Sequence, residues 1–181
     1  FKLPRRTFIM PNYQGVWSLS THYQNRSGWP FPLLQGDIGV VANTSTTSSV
    51  DYFTITATGN SISWGDLTSA HDVSGACGSS TRAVWAGGGG NSSQIDYITV
   101  ASLGVGARFG YLSDGRGYIA SASNATRGLF AGGNSATVNT IDYITIATEG
   151  NSTDFGNLPA AKYSVGGSAN TTRALFFGGD G

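Results

Sequence analysis

Cysteine occurs once, at Cys77, in a chain of 181 residues. No disulfide can form within one chain, so no covalent staple supports the fold. The lone thiol is expected to be a small buried hydrophobe. Glutamate also occurs once and lysine twice, and charged residues make up only 11%, far below the roughly 25% of a soluble domain. Glu and Lys suit helix surfaces, so their scarcity argues against a helical bundle. The formal net charge is zero, which removes the electrostatic footprint of a nucleic-acid binder. Histidine is limited to His22 and His71. With one cysteine, that inventory cannot build a Cys/His zinc site or a copper centre. No Gly-x-Ser-x-Gly elbow has histidine and acid partners in a workable arrangement. No apolar run approaches the ~18 residues of a membrane span. Lys2, Arg5 and Arg6 open the chain without a long apolar stretch behind them, so a signal peptide is not expected. No catalytic residue, cofactor or metal ligand is expected.

What is abundant points the other way. There are 27 Gly, 22 Ser and 19 Thr, hydrophobic residues reach 39%, and aromatics reach 12%. Turn formers and strand formers dominate, and there is enough apolar area for a core.

The chain is repetitive, with a period of 45 and then 46 residues. Asp-Tyr recurs at Asp51-Tyr52, Asp96-Tyr97 and Asp142-Tyr143. Thr-Arg recurs at Thr81-Arg82, Thr126-Arg127 and Thr172-Arg173. A diglycine follows each at Gly87-Gly88, Gly132-Gly133 and Gly178-Gly179. Aromatic-Gly-x-Leu keeps step at Trp64-Gly65, Phe109-Gly110 and Phe155-Gly156. Each unit reads as four short strands. One carries Asp-Tyr among β-branched residues, one is apolar and ends in Gly-Gly, one is built of small residues, and the aromatic-Gly segment supplies the fourth. Four strands in about 45 residues with glycine turns fit one propeller blade.

A basic residue, a small-residue strand, an apolar strand ending in Gly-Gly, a Tyr-bearing strand and then an aromatic form an order that resembles the Kelch repeat. The match covers residues 36–181. Its wording, Ile-Asp-Tyr-Ile-Thr-Ile-Ala-Thr-x-Gly-Asn, then Asp-Phe-Gly-Asn-Leu, then Thr-Arg-x-x-Phe-x-Gly-Gly, is similar to repeats in structural proteins of marine bacteriophages of the cyanophage type. The resemblance implies an all-β fold of Kelch-like β-propeller blades, about three four-stranded units near 36–67, 68–112, 113–158 and 159–181. It also implies a non-enzymatic structural or interaction protein of the virion, a tail, fibre or capsid-decorating component. The first unit departs from the pattern. Asp37 stands where the strand's Arg is expected, Ala42-Asn43 replaces Gly-Gly, and the basic position holds His71 in place of Arg116 and Lys162.

The repeated polar residues invite a structural reading. A hairpin centred near Gly89 would set Arg82 opposite Asp96, and its successor would set Arg127 opposite Asp142. Such pairs stabilise by roughly 0.2–1 kcal/mol and pin register. Asp51 has no matching Arg and is left for an interface. The run Gly87 to Gly90 lacks the Lys-Ser/Thr and helix of a phosphate loop, so hairpin glycines at positive φ are expected. Trp64 and Trp85 are expected in the core.

Residues 1–35 carry four of the five prolines and no repeat marker. They are expected to form an extended arm or connecting module that buries aromatics, Trp17, Tyr23 and Trp29 among them, on a neighbour. About three blades cannot close a ring. The expected partners are therefore further copies of the chain or other virion proteins. A carbohydrate-binding, host-attachment module acting on a surface glycan is the alternative.

Overall fold

A computed structural model describes residues 38–42, 47–101, 104–134 and 138–181. The described residues are all-β, with no helix. They belong to one compact unit, 34–181; Trp17, Tyr23 and Trp29, expected in an arm, lie outside the described residues.

Among the described residues thirteen strands form four antiparallel sheets in chain order. The first holds β1 (Ile38–Ala42), β2 (Ser49–Thr54) and β3 (Ile62–Asp66). The second holds β4 (Gly75–Gly78), β5 (Arg82–Ala86), β6 (Gln94–Thr99) and β7 (Ala107–Tyr111). The third repeats that order in β8 (Ala120–Ser123), β9 (Arg127–Ala131), β10 (Thr140–Thr145) and β11 (Thr153–Asn157). The last is a pair, β12 (Tyr163–Ala169) and β13 (Ala174–Asp180). Every sheet is a meander whose neighbours in space are neighbours in sequence, as short glycine-rich connections require.

The aromatic-Gly motif is a β-bulge. Ile95 pairs with Gly110 and Asp96 with Arg108, so Phe109 is the extra residue. Trp64 is skipped in the same way in the first sheet and Phe155 in the third. A bulge re-aims a side chain, and here it turns each aromatic against the Tyr of the Asp-Tyr strand. Tyr52–Trp64, Tyr97–Phe109 and Tyr143–Phe155 are edge-to-face pairs with centroids 5.4, 5.8 and 6.1 Å apart. That is the favoured aromatic geometry.

The apolar core lies between consecutive sheets. Val50, Trp64 and Leu67 of the first meet Trp85 and Ile98 of the second. Val84, Ile95 and Phe109 meet Phe130, Ile144 and Ile146 of the third. Ala120, Ala131 and Ile141 meet Val165 and Phe176 of the last. The small-residue strands approach closely. The Ser121 hydroxyl donates to the Ala76 carbonyl at 2.6 Å and accepts from its N–H at 3.0 Å. Ser123 does the same with Gly78 at 3.1 and 3.3 Å. Only small side chains leave β4 and β8 this near to one another.

Candidate functional site

The expected cross-strand ion pairs do not form. Arg82 lies opposite Thr99 and Asp96 opposite Trp85. Arg127 lies opposite Thr145 and Asp142 opposite Phe130. The reason is the loop. The last pair is Ala86 with Ile95, and the Gly87 N–H donates to the Gln94 carbonyl at 2.9 Å. The connection therefore runs through the diglycine to Ser93 and is not a tight turn at Gly89. Register shifts by three residues, and an odd shift puts Arg and Asp on opposite faces.

Both aspartates instead meet the basic residue that precedes the small strand of a unit. Asp96 and Asp142 have no exposed surface. Asp96 Oδ2 is 3.2 Å from His71 Nε2. It also accepts from the Thr68 and Ser69 N–H groups at 3.0 and 3.2 Å, and Oδ1 accepts from Gln94 Nε2 at 3.0 Å. The other ring nitrogen of His71 is 2.8 Å from the Gly87 carbonyl. The Ser69 hydroxyl lies 3.4 Å from the same Nε2. Burial pushes the Asp96 carboxyl up. Hydrogen bonds from His71, Thr68 and Gln94 and the His71 charge outweigh it and hold the group below the ordinary value of 3.8.

Asp142 repeats the arrangement with less support. Arg116 Nη2 donates to Oδ2 at 3.0 Å and to the Phe130 carbonyl at 3.4 Å. The Ser113 N–H and hydroxyl donate to the same oxygen at 3.1 and 2.8 Å. Arg116 Nε and Nη1 and Asp142 Oδ1 are buried with no hydrogen-bond partner among the described residues. Thr140 stands where Gln94 serves Asp96. Asp51, the first of the series, pairs in register with Val41 and accepts from the Ser61 hydroxyl at 3.3 Å. It forms no salt bridge among the described residues.

The diglycines are joints between units. Gly87, Gly88, Gly132 and Gly133 have φ of 74°, 138°, 66° and 132°. The Gly88 N–H donates to the Arg116 carbonyl at 3.0 Å, and Gly133 to the Lys162 carbonyl at 2.9 Å. A Cβ on Gly87 or Gly132 would collide with those same carbonyls, so glycine is needed for close approach as well as for φ. Gly178 and Gly179, at φ of 72° and 83°, receive no such loop. Pairing of β13 with β12 continues through Gly178 to Asp180.

Arg82 works between sheets. The Arg82 guanidinium stacks on Tyr97 at 4.4 Å from the ring centroid. It then reaches the next sheet, donating to the Ile146 carbonyl at 3.1 Å and to Glu149 at 3.3 Å. The Tyr97 hydroxyl donates to Glu149 at 2.6 Å. That bond, with burial and the Glu149 charge, holds the Tyr97 phenol above its ordinary 10.0 against the pull of Arg82. Arg127 stacks on Tyr143 at 4.8 Å. This cluster escaped the sequence reading, although the chain's one glutamate marks it.

Other features are packing. Trp64 and Trp85 are 8% and 4% exposed. The Cys77 sulfur packs against the core of the second and third sheets, and burial pushes its thiol up to about 12. Among the described residues no three His, Cys, Asp or Glu side chains gather as metal ligands, and no helix is long and apolar enough to cross a membrane. Two grooves of about 430 Å³ open at the two ends of the array. One lies against Ile38, Trp85 and Cys77, where the first sheet has no fourth strand among the described residues, and the other against Arg127, Phe155 and Phe176, where the last sheet has two. No protein-family model matches the sequence, and no curated protein matches it.

Proposed function

We propose that residues 36–181 are Kelch-like β-propeller blades and that the chain is a non-enzymatic structural and interaction protein of a bacteriophage virion, a tail, fibre or capsid-decorating component. It assembles with copies of itself or other virion proteins through its repeats and its N-terminal arm. The observation that carries the structural role is the joint repeated from unit to unit. The diglycine of one unit binds the backbone of the next at Gly88–Arg116 and Gly133–Lys162. Asp96, Asp142 and Arg116 are spent in the interior, where they hold their own sheets together. Serine-stitched small strands between consecutive meanders suit a crowded axis, as in a propeller. The virion assignment rests on the resemblance of the repeat wording.

A second reading, host attachment through a surface glycan, is favoured by Tyr111 and Tyr118, which are 41% and 45% exposed. Arg108 sits 5.4 Å from the Tyr111 ring. The buried Trp64 and Trp85 cannot serve as sugar platforms. Immunogold labelling of purified particles with antibody to residues 36–181 tests the virion reading. Gold on the tail, fibre or capsid supports it, and unlabelled particles refute it. Saturable binding on a glycan array that is lost in Tyr111→Ala would move the reading to attachment.

A further inference from the structure

The second and third sheets bury the same aspartate at the same register, yet they serve it differently. Asp96 Oδ1 accepts from Gln94 Nε2 at 3.0 Å and from the Thr68 hydroxyl at 2.8 Å. Gln94 opens β6 and lies two residues before Asp96, on the same face of the strand. Its counterpart Thr140 opens β10, two residues before Asp142. Threonine is shorter than glutamine by about two non-hydrogen atoms and brings no amide. Ser113 stands in the place of Thr68, but its hydroxyl donates to Oδ2, at 2.8 Å. Asp142 Oδ1 is thus buried with no hydrogen-bond partner among the described residues. The cation differs as well. Both ring nitrogens of His71 have a neighbour, Asp96 at 3.2 Å and the Gly87 carbonyl at 2.8 Å. Arg116 has more N–H donors than its contacts use. Nη2 serves Asp142 and Phe130, while Nη1 and Nε are buried without a partner among the described residues.

We propose that the interior of the third sheet holds a binding site for a single water molecule, which donates to Asp142 Oδ1 and accepts from Arg116 Nη1 in the place that the Gln94 amide fills one sheet earlier. The site does not depend on a virion location. The chemistry of the unpartnered atoms selects the ligand. They are a carboxylate oxygen that needs a donor and guanidinium N–H groups that need an acceptor. An anion accepts but cannot donate, and it would set a second negative charge beside Asp142. A metal cation would satisfy the carboxylate and be repelled by Arg116. The two side chains already cancel each other's charge at 3.0 Å, so the fitting occupant is neutral and both donates and accepts. The bond between Nη2 and Oδ2 keeps Nη1 and Oδ1 close together, since each is one carbon away from a bonded atom. The Thr140 hydroxyl, on the face of β10 that carries Asp142, offers a further partner. A buried water typically makes about three such bonds. The space that separates threonine from glutamine suits a water and little more. Thr140 is half-buried, which gives the water a way in. A bridging water serves nearly as well as a direct hydrogen bond, so the buried pair keeps both of its charges without an amide.

The probe is water itself, read on the full chain in two ways. A crystal structure that resolves ordered water should show one molecule within hydrogen-bond distance of both Asp142 Oδ1 and Arg116 Nη1. Water-oxygen magnetic relaxation dispersion counts the long-lived internal waters in solution. Thr140→Gln brings the amide of the preceding sheet, so that count should fall by one and the crystal of the variant should show Nε2 on Oδ1. A hydroxyl or amide of the unaltered chain on Asp142 Oδ1, an ion in that place, or no density there overturns the proposal. So does a count that Thr140→Gln leaves unchanged. If Thr140→Gln folds poorly, the crystal of the unaltered chain still decides which group meets Oδ1. Failure here leaves the virion reading standing, and unlabelled particles leave this one standing.

Discussion

Arg116 and Asp142 offer a direct test of where the repeat keeps its charge. Both side chains are fully buried, and three of their polar atoms have no partner among the described residues. Converting Asp142 to Leu leaves a guanidinium stranded in the interior, and converting Arg116 to Met strands a carboxylate. Either single change should cost about 3–5 kcal/mol, the typical penalty for half of a buried pair. For a chain of this length each kcal/mol lowers Tm by about 2–4 °C, so each variant should melt about 6–20 °C lower. Making both changes removes both charges from the interior. The remaining loss is the Ser113 N–H and hydroxyl, which donate to Asp142. Leaving those donors unpaired costs about 1–3 kcal/mol. The double variant should therefore be more stable than either single one, with a coupling of several kcal/mol. Urea and thermal unfolding followed by circular dichroism measure the cycle. As a control, an Arg127→Ala and Asp142→Ala cycle should be additive within about 0.5 kcal/mol, since that arginine lies elsewhere. If Arg116→Met and Asp142→Leu prove additive, or cost less than about 1 kcal/mol each, the buried pair is not what holds this joint.

Two further outcomes follow from the geometry. The Asp96 carboxyl is held below 3.8 in the folded chain, so its contribution is present above that value. It should be lost as pH falls through the folded value, and the acid side of the stability profile should flatten in Asp96→Asn; an unchanged profile would remove Asp96 from the account. Gly87→Ala puts a Cβ into the Arg116 carbonyl at φ 74°, whereas Gly178→Ala, at φ 72°, meets nothing within 4 Å. The second should cost only the ~1–2 kcal/mol of a left-handed residue, and the first should exceed it clearly by urea denaturation; equal losses would mean that the diglycine is not a joint.

The strands were legible because the repeat writes each type three times. The Asp-Tyr strand, the diglycine strand and the small-residue stretch 163–169 are where their composition places them, although the Asp-Tyr strands begin and end about two residues earlier than their β-branched runs. Register was not legible. The sequence shows that a turn lies near Gly87-Gly88 but not how many residues the chain spends in it, and an error of one and a half residues in the centre moves each pair by three. The right basic residues, His71, Arg116 and Lys162, were visible as a repeated position. The aspartate partners of His71 and Arg116 lie 25 and 26 residues further on, across a loop whose return path no local pattern records. The same blindness hid the reach of Arg82 to Glu149, 67 residues away. The aromatic bulge was readable only as a motif, because its meaning, a skipped residue in pairing, exists only once two strands are aligned.

The one-way sense of these joints has a bearing on how the chain comes apart. Gly88, Arg82 and the β7 edge are each satisfied by residues that come later in sequence. A unit is thus locked by its successor. In a linear array with nearest-neighbour coupling, stability falls toward the end that lacks a neighbour. Amide exchange should therefore be slowest where Val84, Ile95 and Phe130 have cover from both sides.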